Sequence, residues 1–272
     1  MTRTALIAGG DKLPEIWLER AQEAGREVVA YRIHQEATPS LEKAERVRDI
    51  ELGRLGDLLD LMDEDNIEDV IMLGKVYKER LYEDIELDEE MQLLLAGLPD
   101  YEDETILEGI AGKLEDYGYR LLPQDLYMDI KRPNIGLLAG EESQHESLEK
   151  DFARGMELAQ KMAGLEIGQT VLLKDGAVLA VEAAEGTDRT IERAGELGGA
   201  GAIMAKAARP EQDERLDIPG VGPRTIELLA EIDAAGLVIE AGGVMIIEKE
   251  EFLRKAEENG IAVQSRRKED ID

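Results

Sequence analysis

The chain has 272 residues, 43% hydrophobic and only 4% aromatic, enough for about two domains with largely aliphatic cores. Its 32 Lys and Arg stand against 62 Asp and Glu, a net charge of −30 that repels nucleic acid and anionic lipid headgroups at long range. The absence of cysteine excludes disulfides, thiolate catalysis and thiolate metal sites, and with only His34 and His145 a multi-histidine zinc centre is not expected.

The excess acid reads as a solvated surface suited to a salt-rich cytosol. The first apolar run is too short for a signal peptide, and no stretch approaches the roughly 20 apolar residues of a membrane span, so a cytoplasmic protein is expected.

In chain order, 4–8 is a short apolar run suited to a buried strand, Gly9-Gly10 turns the chain, and Pro14 sits in the first turn of a helix ended by Gly25. A strand over 27–31, a helix over 54–64 and a strand over 69–73 continue a β-α-β alternation, which predicts a parallel sheet covered by helices. Helices over 88–97 and 102–117 and a short strand over 119–122 complete a Rossmann-like domain, 1–122. Residues 123–147 are rich in Pro, Gly and Ser and read as a linker. The remainder, 148–272, reads as a mixed α/β domain. A helix over 148–163 is followed by a hairpin over 169–182 turning at Asp175-Gly176. A helix over 188–197, a strand over 202–205 and a helix from Pro223 to about residue 235 come next. Strands over 237–240 and 244–247 and a last helix over 250–259 follow.

Three places carry candidate chemistry. Gly9-Gly10 between strand and helix can turn backbone amides toward an anion, and Lys75 follows the 69–73 strand at the edge where open α/β sheets bind ligands. Val181-Glu-Ala-Ala-Glu-Gly-Thr-Asp188 puts Glu182 and Glu185 beside a helix start, where Thr187 or Asp188 would be the N-cap. In the stretch 206–224, Lys206, Arg209, Arg215 and Arg224 offset Glu211, Asp213, Glu214 and Asp217. A diphosphate site needs both kinds of charge: cations for the phosphates, and carboxylates for a hard cation. The glycine-rich Pro219-Gly-Val-Gly-Pro-Arg-Thr225 makes a helix N-terminus suited to an anion. Its letters also look like a helix-hairpin-helix nucleic-acid turn, against which the surrounding acidity argues.

Val178-Leu-Ala-Val-Glu-Ala-Ala-Glu-Gly-Thr-Asp188, Lys206, Gln212-Asp-Glu-Arg-Leu-Asp-Ile-Pro219, Gly222-Pro-Arg-Thr225 and Glu240-Ala-Gly-Gly243 resemble the C-terminal domain of the UDP-2,3-diacylglucosamine pyrophosphatase family that is distinct from the calcineurin-like enzymes. Ile7-Ala-Gly-Gly10, Leu13-Pro14 and Gly74-Lys-Val76 resemble its N-terminal domain. The resemblance implies a lipid A biosynthetic hydrolase that cleaves UDP-2,3-diacylglucosamine to UMP and 2,3-diacylglucosamine 1-phosphate. It implies magnesium, or manganese in its place, a substrate held between two domains, and a homodimer. Asp213 and Asp217 would ligate the metal or position water, with Glu182 and Glu185 as further metal ligands. Lys206 would act in catalysis, and with Arg215 and Arg224 would stabilise phosphate charge. Gly9, Gly10, Lys75, Gly186, Thr187, Gln212, Gly222 and Thr225 would complete the substrate site. A lipid substrate leaves transient contact with the inner-membrane surface open. Another nucleotide diphosphate as substrate remains an alternative, as does the nucleic-acid module.

Overall fold

The structure is a computed structural model that describes residues 2–10, 12–34, 40–74, 85–128, 133–210, 213–216 and 218–267. The chain divides into two compact units. The first comprises Met1–Asp129 and Asp213–Asp217, the second Ile130–Gln212 and Ile218–Asp272.

The first unit holds a five-stranded parallel sheet in the order β3-β2-β1-β4-β5. Its strands are β1 (Arg3–Ala8), β2 (Glu27–Ile33), β3 (Arg46–Ile50), β4 (Asp69–Leu73) and β5 (Arg120–Leu121). The helices are α1 (Leu13–Glu23), α2 (Leu55–Glu64), α3 (Glu89–Gly97) and α4 (Asp103–Asp116). β1 and β4 are buried almost throughout, as expected of central parallel strands. β3 was not evident in the sequence. It is an edge strand, Arg-Val-Arg-Asp-Ile, that buries only Ile50 and so lacks an apolar run. Leu58, Leu59 and Met62 of α2 and Leu114 of α4 join Ile7, Val29, Val70 and Met72 in one core.

The second unit is built on a six-stranded mixed sheet in the order β6-β13-β11-β9-β7-β8. The strands are β6 (Gly136–Ala139), β7 (Thr170–Lys174), β8 (Ala177–Val181), β9 (Ile203–Lys206), β11 (Gly236–Glu240) and β13 (Ala262–Arg266). Alternation along the strands feeds two cores. Val171, Leu173, Ile203, Ala205 and Val238 pack under α5 (Glu142–Gly164) with Phe152 and Met156. Leu172, Met204, Leu237, Ile239 and Val263 face Ile191 of α6 (Gly186–Glu196), Ile226 and Leu229 of α7 (Pro223–Glu231) and Phe252 of α8 (Lys249–Glu258). This is the expected α/β class: a Rossmann-like parallel sheet and a mixed α/β unit.

Several boundaries differ from the sequence reading for identifiable reasons. The helix predicted from 148 starts at Glu142. Its first turn is polar and shows no apolar period, but the Gln144 side chain accepts from the Glu141 amide at 2.9 Å in a capping box. Gly136–Ala139 lies within the stretch read as linker and pairs antiparallel with β13. The strand placed at 244–247 shortens to β12 (Met245–Ile246) and pairs in parallel with β10 (Gly220–Val221), apart from the main sheet. The hairpin turns as predicted: Asp175 and Gly176 have φ of 50° and 77°, and the Asp151 carboxylate accepts both their amides at 2.8 Å.

Candidate active site

The carboxyl end of β9 carries Lys206, and antiparallel pairing sets it beside Thr170 at the start of β7. The chain leaving β8 supplies Glu182, and α6 opens immediately afterward with Gly186 and Thr187. These elements converge on one buried cluster. Lys206 Nζ donates to Thr170 Oγ1 at 3.2 Å and to Thr187 Oγ1 at 2.9 Å. Thr187 in turn donates its hydroxyl to Glu182 Oε1 at 2.7 Å. Glu182 Oε2 has no hydrogen-bond partner and lies 3.9 Å from Lys206 Nζ. The Lys206 and Glu182 side chains are 7% and 13% exposed, so their attraction is weakly screened. Burial pushes the Glu182 carboxyl up, but the Lys206 charge and the Thr170 and Thr187 hydroxyls outweigh it and hold the acid below its usual range. Thr187 is therefore not the N-cap. The helix begins at Gly186 after Glu185, and the Thr187 hydroxyl links an ammonium to a carboxylate.

On the neighbouring strand, buried Glu240 ends β11 and accepts the Ala208 amide at 3.2 Å, joining the loops after β9 and β11. A Cβ on Gly243 would lie 2.9 Å from Ala208 Cβ and 3.2 Å from the Glu240 carboxyl carbon, so glycine lets this turn close. Neither Thr170 nor Glu240 stands out in the sequence as a site residue. The signals for Glu240 are its place at the head of the Glu240-Ala-Gly-Gly243 motif and as a carboxylate closing an otherwise apolar strand; Thr170 has none.

Other candidates in the second unit have different partners. The Glu185 carboxylate accepts from Arg193. Arg224 is exposed and pairs along its own helix with Glu227 and Glu231. The Gly222 amide donates to Thr225 Oγ1 at 3.2 Å, which locks the first turn of α7. Gln212, Asp217 and Lys75 lie outside the described residues.

In the first unit, Gly9 and Gly10 follow β1, and Gly9 donates to Leu73 O at 2.8 Å. In the sheet β1 is flanked by its successor β2 on one side and β4 by its successor β5 on the other, so these glycines stand at a topological switch point, where open α/β sheets bind ligands. Gly74 closes the same place with a φ of +89°. A Cβ there would fall 2.4 Å from Gly10 O. Asp213 is in this unit too. Its carboxylate accepts from Arg215 Nε at 3.0 Å and Nη2 at 2.7 Å, while Arg215 also reaches Glu115. The Arg215 guanidinium lowers the Asp213 carboxyl against the opposing effect of burial.

Among the described residues no group of three or more His, Asp or Glu is placed to hold a metal. Magnesium needs fewer, because it characteristically takes one or two carboxylates and fills its octahedron with phosphate oxygens and water. Glu182 does not fit that role as placed, with an ammonium beside its unpartnered oxygen, and Glu185 is engaged by Arg193. Asp213 would first have to release Arg215.

Comparison with known proteins adds family to geometry. The chain is 28% identical over 275 residues to UDP-2,3-diacylglucosamine pyrophosphatase LpxI of Caulobacter vibrioides, covering 97% of each. Among solved structures, CobK precorrin-6A reductase aligns over 100% of this chain and 91% of its own at 13% identity and a TM-score of 0.37. The biotin carboxylase domain of Hydrogenobacter thermophilus 2-oxoglutarate carboxylase aligns over 73% of this chain and 41% of its own, at 16% identity and a TM-score of 0.29. Scores that low bear on nothing further. The LpxI N-terminal domain matches residues 3–130 and the LpxI C-terminal domain residues 135–264. With both halves matched, the chain belongs to the LpxI family.

Proposed function

We propose that this chain hydrolyses UDP-2,3-diacylglucosamine at its diphosphate, with magnesium, releasing UMP and 2,3-diacylglucosamine 1-phosphate for lipid A biosynthesis. The observation that carries the chemistry is Lys206, a buried ammonium held by the hydroxyls of Thr170 on β7 and of Thr187 in the first turn of α6. A fixed cation beside a helix N-terminus favours an anion, and it stabilises charge that grows on phosphoryl oxygens as the bond to phosphorus breaks. The Glu182 carboxylate lies 3.9 Å away and balances the buried charge, and the two threonines leave the third ammonium hydrogen for the substrate. Asp213 and Asp217 are the proposed water-positioning or metal-binding carboxylates of the first unit; Gly9, Gly10 and Lys75 are its proposed phosphate contacts. When bound, magnesium would polarise a phosphoryl oxygen and acidify the attacking water. The substrate itself is inferred from family membership and the Caulobacter relative.

The reading is tested by incubating the protein with UDP-2,3-diacylglucosamine, with magnesium or with EDTA, and following UMP. Magnesium-dependent release is expected. Release of UMP from UDP-N-acetylglucosamine at the same rate would point to a general nucleotide-diphosphate hydrolase, and no UMP from either would overturn the proposal.

A further inference from the structure

We propose that Gln124 is a positioning residue for the reaction, because it fastens the turn bearing Asp213 to the carboxyl end of β4. The argument begins with a broken ladder. β5 pairs with β4 in parallel, and the Arg120 amide donates to Glu68 O and the Leu122 amide to Val70 O. The next step of that ladder would send the Gln124 amide to Met72 O. The nitrogen of Pro123 would face away from β4 and costs this ladder no bond, but the regular strand has ended by this point. The Gln124 side chain then takes the place of the missing strand: its Nε2 donates to Met72 O at 2.7 Å.

This substitution frees the Gln124 backbone for another partner. Its amide donates to Glu214 O at 2.9 Å, and its Nε2 also donates to Leu216 O at 2.8 Å. One residue, 6% exposed, thus bonds the turn through both its amide and its side chain and reaches β4 as well. The turn closes on itself by Leu216 N to Asp213 O at 3.2 Å, and the Leu216 side chain is anchored in the core of the first unit. Met72 precedes Leu73 and Gly74, so the turn is tied two residues from the glycine switch point. The inference rests on the proposed role of Asp213. A small error in placing a reacting group is enough to slow a reaction by orders of magnitude.

The test is Gln124→Met, which keeps length and burial but has no donor, with Gln124→Asn as a second, shorter amide in case the first does not fold. Hydrogen exchange and steady-state kinetics are measured on the full chain. Both variants should exchange the 213–216 amides at least about tenfold faster while the β4 amides keep their protection. The kcat for UMP release should fall at least about tenfold, with KM changed less than about threefold. Unchanged exchange in the turn would overturn the placement. Faster exchange with wild-type kcat would overturn the role in catalysis, as would a rise in KM alone. If the wild-type protein releases no UMP, the reading of the reaction and the catalytic role both fall, and exchange still decides whether Gln124 holds the turn.

Discussion

At the scale of single residues the cluster around Lys206 is the most constrained. A lysine at the end of a buried strand is tolerable because three oxygen-bearing side chains surround it, and each of them lies on a different segment of the chain. Lys206→Met is expected to lower UMP release about 10²–10³-fold, the usual loss when one preorganised donor to a developing anion is removed. Lys206→Arg should restore little, since a planar guanidinium does not reproduce the compact ammonium between two hydroxyls. Near-normal turnover in Lys206→Met would remove this lysine from the site. Gly243→Ala should cost about 1–3 kcal/mol by overpacking against Ala208 and the Glu240 carboxylate, readable in a urea melt.

At the scale of elements, the two ends of the first sheet divide the work. Its carboxyl edge carries the glycine turns. Its amino edge is tied together by two buried aspartates. Asp65, at the end of α2, accepts from Arg46 at 2.6 Å, from Arg48 at 2.7 and 2.8 Å and from Tyr31 at 2.8 Å. Asp69, at the start of β4, accepts from Arg120 at 2.7 and 2.9 Å. The Arg48 hydrogen bonds hold the Asp65 carboxyl below its usual range against burial, helped by Tyr31 and Arg46. Asp65→Asn should cost about 3 kcal/mol at pH 7, the low end for breaking a buried pair because Arg46 stays half wet. A carboxyl lowered by folding stabilises the protein above its unfolded value of about 3.9, and that contribution fades as pH falls through the folded value. The gap between wild type and Asp65→Asn in denaturant midpoint should therefore be full at pH 7 and shrink as the pH falls below about 4. An equal gap at both pH values would contradict the assignment.

At the scale of the whole molecule the net charge dominates. Like charges on a surface at −30 repel within the compact state, and salt shortens their reach from about 10 Å at 0.1 M to about 3 Å at 1 M. The Asp65 and Asp69 carboxylates of the first sheet are buried, so their pairs are screened less than charges wholly on the surface. Thermal melts should therefore rise by several degrees between low salt and molar KCl, with activity retained. A melting temperature that falls over the same range would show that the acid is not a salt adaptation. No described helix is long and apolar enough to cross a membrane.

Much of this protein could be read directly from its letters. The apolar runs of β1 and β4, the proline that opens α1, the Asp175-Gly176 turn and the motifs around Glu182 and Lys206 depend on neighbours within a few residues, and local periodicity and turn chemistry encode them. Family membership lay in those motifs as well. What the letters did not carry is which side chain meets which. β3 and β13 bury too few apolar residues in a row to announce themselves. Thr170 meets Lys206 only because β7 lies beside β9, and Glu182 becomes a lysine's counter-ion only because β8 pairs with the other edge of β7, where the Glu182 amide donates to Thr170 O. Gln124 and Leu216 are 92 residues apart, and the turn at 213–216 joins the first unit although the chain around it belongs to the second. Such partnerships follow from strand order and chain crossing, which only the assembled fold decides.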